Sequence, residues 1–296
     1  MDQKTRLLES IDANWPEPRD TTEKMRWISS LPGGDINHAA LIGDGVTSYF
    51  LKYHRHASTD MFAAEARALN EIAKHKCIRV PKPILYGSDG QTAWLVMEYL
   101  ELTASGPATQ LGEQLAAMHT VTNDRYGWAA DNFIGTTPQR NGFNSNWTEF
   151  WRDCRLQPQL ALAEAAGFGG QLMSTGEHLL QDIDQLMDGH RPEASLLHGD
   201  FWAGNKAYTH DGRAVIFDPA SYYGDRETDI AMSELFGGFD REFYAAYKAH
   251  APLPDGYPLR RDLYNLYHLL NHLNLFGAAY LSRCKDMIAN LTAQIR

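Results

Sequence analysis

The stretch Leu196-Leu197-His198-Gly199-Asp200-Phe201-Trp202-Ala203-Gly204-Asn205, followed thirteen residues later by Ile216-Phe217-Asp218, decides the fold. It reads His-x-Asp, four residues, Asn, and then an Asp that closes an apolar run. Each part alone has a bland explanation, since His and Asp beside Gly often do no more than build a turn. Together, set between Leu196-Leu197 and Val215-Ile216-Phe217, they describe two short strands that each deliver a carboxylate to one end.

The spacing is that of the protein-kinase catalytic loop, H-R-D-x-x-x-x-N, and of its metal-binding D-F-G. Gly199 replaces the Arg, and Pro219-Ala220 replace Phe-Gly. Phosphoryl transfer needs one carboxylate to accept a hydroxyl proton, and an amide and a carboxylate to hold Mg²⁺ between phosphates. Asp200 is the candidate base, and Asn205 and Asp218 are the candidate metal ligands.

Upstream, Leu31 to Ile42 and Val46 to Tyr53 predict two strands around a Gly43-Asp44-Gly45 turn. Met61 to Lys74 has helix spacing, and Ile84 to Gly87 with Thr92 to Tyr99 predict two more strands around Ser88-Asp89-Gly90. Lys52, in the second strand, and Glu65, in the helix, match the phosphate-binding lysine and its glutamate. A Lys–Glu pair taken alone is more often an exposed ion pair of little worth. Gly33 and Gly34 precede the first strand and let backbone amides approach phosphates. Met97, Glu98 and Tyr99 fall where a hinge would meet adenine. Neither G-x-x-x-x-G-K-[ST] nor a G-x-G-x-x-G opening a βαβ unit occurs, which disfavours Walker-type NTPases and Rossmann dehydrogenases.

Residues 1 to 30 read as a polar, partly helical lead-in. Leu111 to His119, Trp147 to Ala166, Gly176 to Met187, 227 to 250 and 259 to 293 read as helical. The expected fold is therefore α+β and two-lobed: an antiparallel-sheet lobe over 1–98, a larger mainly helical lobe over 99–296, and ATP between them.

The chain has 296 residues, net charge −10 and 44% hydrophobic residues. The acidic balance argues against nucleic acid as a partner. No signal-peptide core and no run of about 18 apolar residues occurs, so a cytoplasmic protein with no membrane span is expected. Cys77, Cys154 and Cys284 are too scattered for a disulfide framework or a CxxC metal site. His268 and His272 have the i, i+4 spacing of a zinc helix, but the Glu of H-E-x-x-H is absent and leucines surround them.

With these residues in place, the chain resembles the fructosamine kinase (ketosamine-3-kinase) family, relatives of aminoglycoside phosphotransferases with a protein-kinase-like fold. The resemblance extends beyond the shared loop. It includes Tyr126-Gly127-Trp128, Asp131 to Gln139, Trp147 to Leu160, Asp218 to Glu227, Glu234 to Phe239 and His268 to Asn274. It implies a kinase using ATP and Mg²⁺ that phosphorylates the 3-hydroxyl of the sugar in ketoamines, free or protein-bound, such as fructosamines or ribulosamines. Related kinases for aminoglycosides or choline, and a non-catalytic nucleotide-binding module, are the competing readings. Carried over, Asp200 matches the base, Asn205 and Asp218 the metal ligands, Lys52 and Glu65 the phosphate-binding pair, and Met97 to Tyr99 the hinge. Asp35 falls where some relatives carry Cys. Trp202 suggests a platform for a sugar face, or else a core tryptophan. Asp131 and Asn132 suggest sugar-hydroxyl ligands, or else loop caps.

Overall fold

The computed structural model describes residues 2–16, 19, 21–32, 36–187 and 189–295. In chain order the elements are α1 (Gln3–Ala13), β1 (Arg26–Leu31), β2 (His38–Gly43), β3 (Ser48–Arg55), α2 (Thr59–His75), β4 (Pro83–Ser88), β5 (Thr92–Glu98), β6 (Leu102–Thr103) and α3 (Ala108–His119). Then follow β7 (Thr122–Asn123), β8 (Asn132–Ile134), β9 (Thr137–Gln139), α4 (Trp147–Trp151), a π-helical turn (Arg152–Leu156), α5 (Gln157–Ala165), α6 (Gln171–Gln181) and α7 (Ile183–Met187). The remainder is β10 (Ala194–Leu196), β11 (Lys206–Thr209), β12 (Ala214–Ile216), β13 (Tyr223–Gly224), α8 (Glu227–Leu235), α9 (Arg241–His250), α10 (Tyr257–Phe276) and α11 (Leu281–Thr292).

The chain forms two compact units: residues 1–107 with 207–218, and residues 108–206 with 219–296. The first unit is built on an antiparallel sheet of order β1-β2-β3-β5-β4. Interior strand β5 is buried along Thr92–Met97 because helices cover both faces. Its Trp94 and Val96 join Leu7 and Ile11 of α1 in one apolar cluster. Period-two alternation turns Ala93 and Leu95 to the other face, where α2 packs. α2 starts at Ser58, whose side chain accepts from Asp60 N–H, and stops at Lys76 in the left-handed conformation (φ 57°). Residues 207–218 belong here because β11 and β12 form a small sheet with β6, and Val215 pairs in parallel with Arg79.

The polar lead-in contains more than helix: β1 is a fifth strand on the sheet edge. Its residues are largely exposed, so no apolar alternation marks it.

The second unit is mainly helical, with Trp147, Trp151, Leu160, Leu263, Tyr264 and Leu270 among its core residues. Two expected long helices are broken. The 227–250 segment splits between α8 and α9 at Gly237 (φ 71°) and Gly238 (φ 92°), and the 259–293 segment splits at Gly277 (φ 85°). Between α4 and α5 the helix widens into its π turn just before Pro158. Proline has no N–H to return to Cys154, and the Arg155 guanidinium donates to the Cys154 carbonyl instead (3.0 Å). Among the described residues, no helix is long and apolar enough to cross a membrane.

Candidate active site

In the first unit, β3 places Lys52 opposite α2. Lys52 is 6% exposed, and its Nζ donates to both Glu65 oxygens (2.9 and 2.8 Å) and meets Asp218 Oδ1 at 2.8 Å. Burial alone would lower the Lys52 pKa, but the Asp218 and Glu65 carboxylates outweigh it and raise it, so the ammonium stays charged. The Glu65 pKa is raised as well. Burial and the nearby Asp218 raise it against the pull of Lys52, because two carboxylates share one cation. Asp218 follows β12 with φ 58°, a conformation that non-glycine residues seldom adopt, and its side chain is 42% exposed. The backbone thus aims this carboxylate away from the strand it terminates.

Met97 is buried at the end of β5. The Glu98 carboxylate accepts from Lys82 N–H and from Arg79 Nη2 (both 2.5 Å), and Glu98 N–H donates to the Lys82 carbonyl (2.9 Å). Both the side chain and the amide proton of Glu98 are therefore occupied by its own unit. Tyr99 is half-buried. Gly33, Gly34 and Asp35 lie outside the described residues.

In the second unit, β10 leads into the loop carrying Asp200. Gly199 has φ 82°, and a Cβ there would stand 2.2 Å from the Ala220 carbonyl oxygen, so this position of the motif demands glycine. Asn205 Nδ2 donates to the Asp200 carbonyl (2.9 Å) and to Asp200 Oδ2 (3.1 Å), which fixes the carboxylate against its own loop. That orientation leaves Asn205 Oδ1 as the end of the amide for a cation. An amide oxygen is a hard donor of the kind Mg²⁺ takes.

Sequence reasoning missed what holds this loop. Asp229, fully buried in the first turn of α8, accepts His198 N–H (2.7 Å) and Gly199 N–H (2.8 Å). Its Oδ2 also lies 3.1 Å from His119 Nε2, and His119 Nδ1 lies 2.8 Å from the Tyr247 hydroxyl. Burial would raise the Asp229 pKa, but the contact with His119, the nearby His198 and the Gly199 amide lower it. An acid in a helix's first turn usually answers the helix dipole, so nothing in the pattern announced this role.

Trp202 is 37% exposed, not a core residue, and its ring lies over Gly204. Asp131 is exposed, and its Oδ1 accepts Asn141 N–H (2.8 Å). Asn132 is 5% exposed and fully engaged: Nδ2 donates to the Ser221 carbonyl (2.9 Å), and Oδ1 accepts from Gln139 (2.8 Å) and Asn141 (2.6 Å). It acts as the hub of a buried amide network.

His268 is buried within α10, and His272 Nδ1 turns to the His268 carbonyl (2.8 Å), so the two do not form a metal site. Among the described residues, the side chains close enough to hold a metal are His190, Asp225 and Glu227. Arg260 already binds both Glu227 oxygens, and the Tyr264 hydroxyl donates to Asp225, so this cluster reads as a structural ion network.

Residues 7–294 match the family model described as fructosamine kinase. A Synechocystis protein provisionally named a ketoamine kinase is 41% identical over 264 residues, 88% of each chain. The chloroplastic protein-ribulosamine 3-kinase of Arabidopsis thaliana is 40% identical over 265 residues, 88% of this chain and 81% of that one. A solved Haemophilus somnus structure, provisionally named a fructosamine-3-kinase, superposes with TM-score 0.82 at 29% identity over 97% of this chain and 96% of that one. An aminoglycoside phosphotransferase, APH(4)-Ia, shares the protein-kinase-like fold at TM-score 0.58 and 17% identity, covering 97% and 98% of the two chains. With the family model matching almost end to end and relatives about 40% identical over most of their length, the chain belongs to the fructosamine kinase family.

Proposed function

We propose that this protein is an ATP-dependent ketosamine kinase, transferring the γ-phosphoryl group of ATP to the 3-hydroxyl of a fructosamine or ribulosamine. The observation that carries the chemistry is the buried ammonium of Lys52, held between Glu65 and Asp218. The two carboxylates offset the cost of burying that charge, and a polyphosphate is the ligand such a cation fits. The relatives' names supply the acceptor class.

In this reading Lys52 neutralises phosphate charge and Glu65 keeps its ammonium in place. Asn205 and Asp218 hold Mg²⁺, which supplies electrostatic stabilisation of charge on the phosphates. Asp200, steadied by Asn205, accepts the proton of the sugar hydroxyl as the sugar oxygen bonds to the γ-phosphorus and the bond from that phosphorus to the bridging oxygen breaks, releasing ADP. Met97 to Tyr99 offer backbone groups to adenine, and Gly33 and Gly34 offer amides to the phosphates. Trp202 gives the sugar a flat apolar face, Asp131 takes a sugar hydroxyl, and Asn132 serves by fixing the loop that carries Asp131.

The test is ADP release with Mg-ATP on fructoselysine, ribuloselysine, an aminoglycoside, choline and no acceptor, with Asp200→Asn as control. Turnover on a ketoamine alone, lost in the variant, is the expected result. Turnover only on another acceptor overturns the substrate assignment and keeps the phosphotransfer. ATP binding without turnover on any acceptor favours a binding module.

A further inference from the structure

We propose that Glu98 and Arg79 are a positioning pair that locks the end of β5 to the strand delivering Asp218, so that one rigid piece sets both the base end and the phosphate end of the nucleotide. The inference rests on the kinase reading for its nucleotide, and it needs no assumption about the acceptor.

The segment Ile78-Arg79-Val80 alternates like a strand. Ile78 and Val80 are 4% and 2% exposed, and Arg79 points the other way, toward Glu98. Glu98 grips this segment with both carboxylate oxygens, one on Arg79 Nη2 and one on Lys82 N–H. Arg79 Nη1 donates back to the Val80 carbonyl (2.7 Å), which braces the guanidinium. The backbone of Arg79 faces the other strand: its carbonyl accepts Ile216 N–H (3.0 Å), and Arg79 pairs in parallel with Val215. Two residues beyond Ile216 stands Asp218. A continuous path therefore runs Glu98, Arg79, Ile216, Asp218, and every step but the last is a hydrogen bond.

Both partners of the Arg79–Glu98 pair are partly exposed, 35% and 27%, and ion pairs so exposed contribute little to global stability. A purely structural role would show as a small change in thermal stability with nucleotide binding unmoved. A positioning role predicts the reverse, because a displacement of about 1 Å at a site that clamps phosphate is felt strongly.

The experiment is Mg-ATP affinity by calorimetry without acceptor, together with KM for ATP, for Arg79→Met, Glu98→Gln, the double variant and the conservative Arg79→Lys. Each single variant should weaken ATP binding about five- to tenfold, with KM for the ketoamine and the melting temperature nearly unchanged. The double variant should be no worse than the worse single one, since the two residues form one contact. Arg79→Lys should recover part of the loss. A lowered melting temperature with unchanged ATP affinity overturns the inference, as does an additive double variant. If the wild-type chain itself fails to bind Mg-ATP, the kinase reading falls and takes this pair with it. Wild-type binding with equal binding in the variants sinks the pair alone.

Discussion

Asp229 binds the backbone of His198 with one carboxylate oxygen, at 2.7 Å from its amide nitrogen, and thereby fixes the loop that presents Asp200 two residues later. The other oxygen takes Gly199 N–H at 2.8 Å, so two successive amides converge on one buried side chain. Asp229→Asn keeps the shape but sets an NH₂ group against one of these N–H donors. Each charge-assisted bond lost in a buried site costs roughly 1.5–3 kcal/mol. We expect a loss of about 3 kcal/mol at pH 7 and a fall of about 10²-fold in kcat, from a base displaced by a fraction of an ångström.

The Asp229 carboxyl is depressed below its ordinary value in the folded state, so its contribution is present above that value and is lost as pH falls through the lower folded one. The stability gap between wild type and Asp229→Asn should stay constant from pH 7 to 5 and close only in more acid solution. Urea unfolding across that range decides it. A gap that closes by pH 6 would assign the effect to another group.

His268 predicts acid sensitivity of its own. It is fully enclosed in α10, its Nδ1 has no hydrogen-bond partner, and burial together with His272 pushes its pKa down from 6.5 to about 3. A histidine buried neutral contributes fully above its unfolded pKa, and that contribution drains away as pH falls below it. Between pH 6.5 and 5 the folded state should lose about 2 kcal/mol from this group, at roughly 1.36 kcal/mol per pH unit. His268→Gln should flatten that part of the stability curve, even if it lowers the plateau at pH 7.5. Identical slopes for the two proteins would exclude His268 as the source.

The parts of the candidate site written in contiguous spacing stand out in the sequence as a pattern. Asp200, Asn205 and Asp218 announce themselves, because loop chemistry fixes residue type and interval together. Lys52 and Glu65 followed from a strand and a helix whose periodicities are plain. The supports were not legible, because they depend on contacts remote in sequence. Asp229 works through backbone amides 30 and 31 residues away, and Arg79 through a carboxylate 19 residues away. Neither leaves a local pattern. The same holds for β1, an edge strand whose exposed side chains carry no alternation, and for the glycine breaks at 237–238 and 277, where one φ angle overrides a continuous helical period.

Arg155 shows what one of the family's own segments does. It is wholly buried, donates to the Arg140 carbonyl (2.5 Å) and to Asn141 Oδ1 (2.7 Å), and stacks 3.9 Å from the centre of the Tyr222 ring. Through Asn141 it joins Asn132 and Gln139, which hold the Ser221 and Ala220 carbonyls just downstream of Asp218. Arg155→Met removes three charge-assisted bonds, counting the one to the Cys154 carbonyl, and the cation–π contact with Tyr222, and leaves buried acceptors unsatisfied. The expected cost is about 3–4 kcal/mol, measured by urea unfolding. Arg155→Lys should rescue little, because one ammonium cannot replace a planar fork lying flat on a ring. A loss below about 1 kcal/mol for Arg155→Met would mean that the network closes without its cation.

Trp202 offers the sharpest separation of substrate binding from fold. An indole 37% exposed, lying over Gly204 and two residues from Asp200, is poorly placed to stabilise a core. Its exposed face suits the apolar side of a sugar ring, so Trp202→Ala should leave the melting temperature within about 2 °C of wild type, as for surface substitutions generally. KM for a ketoamine should rise about tenfold or more, while KM for ATP moves less than twofold. Trp202→Phe should recover much of the loss, since a smaller ring still presents a flat face. Gly204→Ala makes an independent check, because the added Cβ would stand 2.3 Å from the nearest indole carbon and must tilt the ring. It should reproduce the Trp202→Ala kinetics in milder form. Equal increases in KM for both substrates, in either variant, would show that the ring holds the loop rather than the sugar.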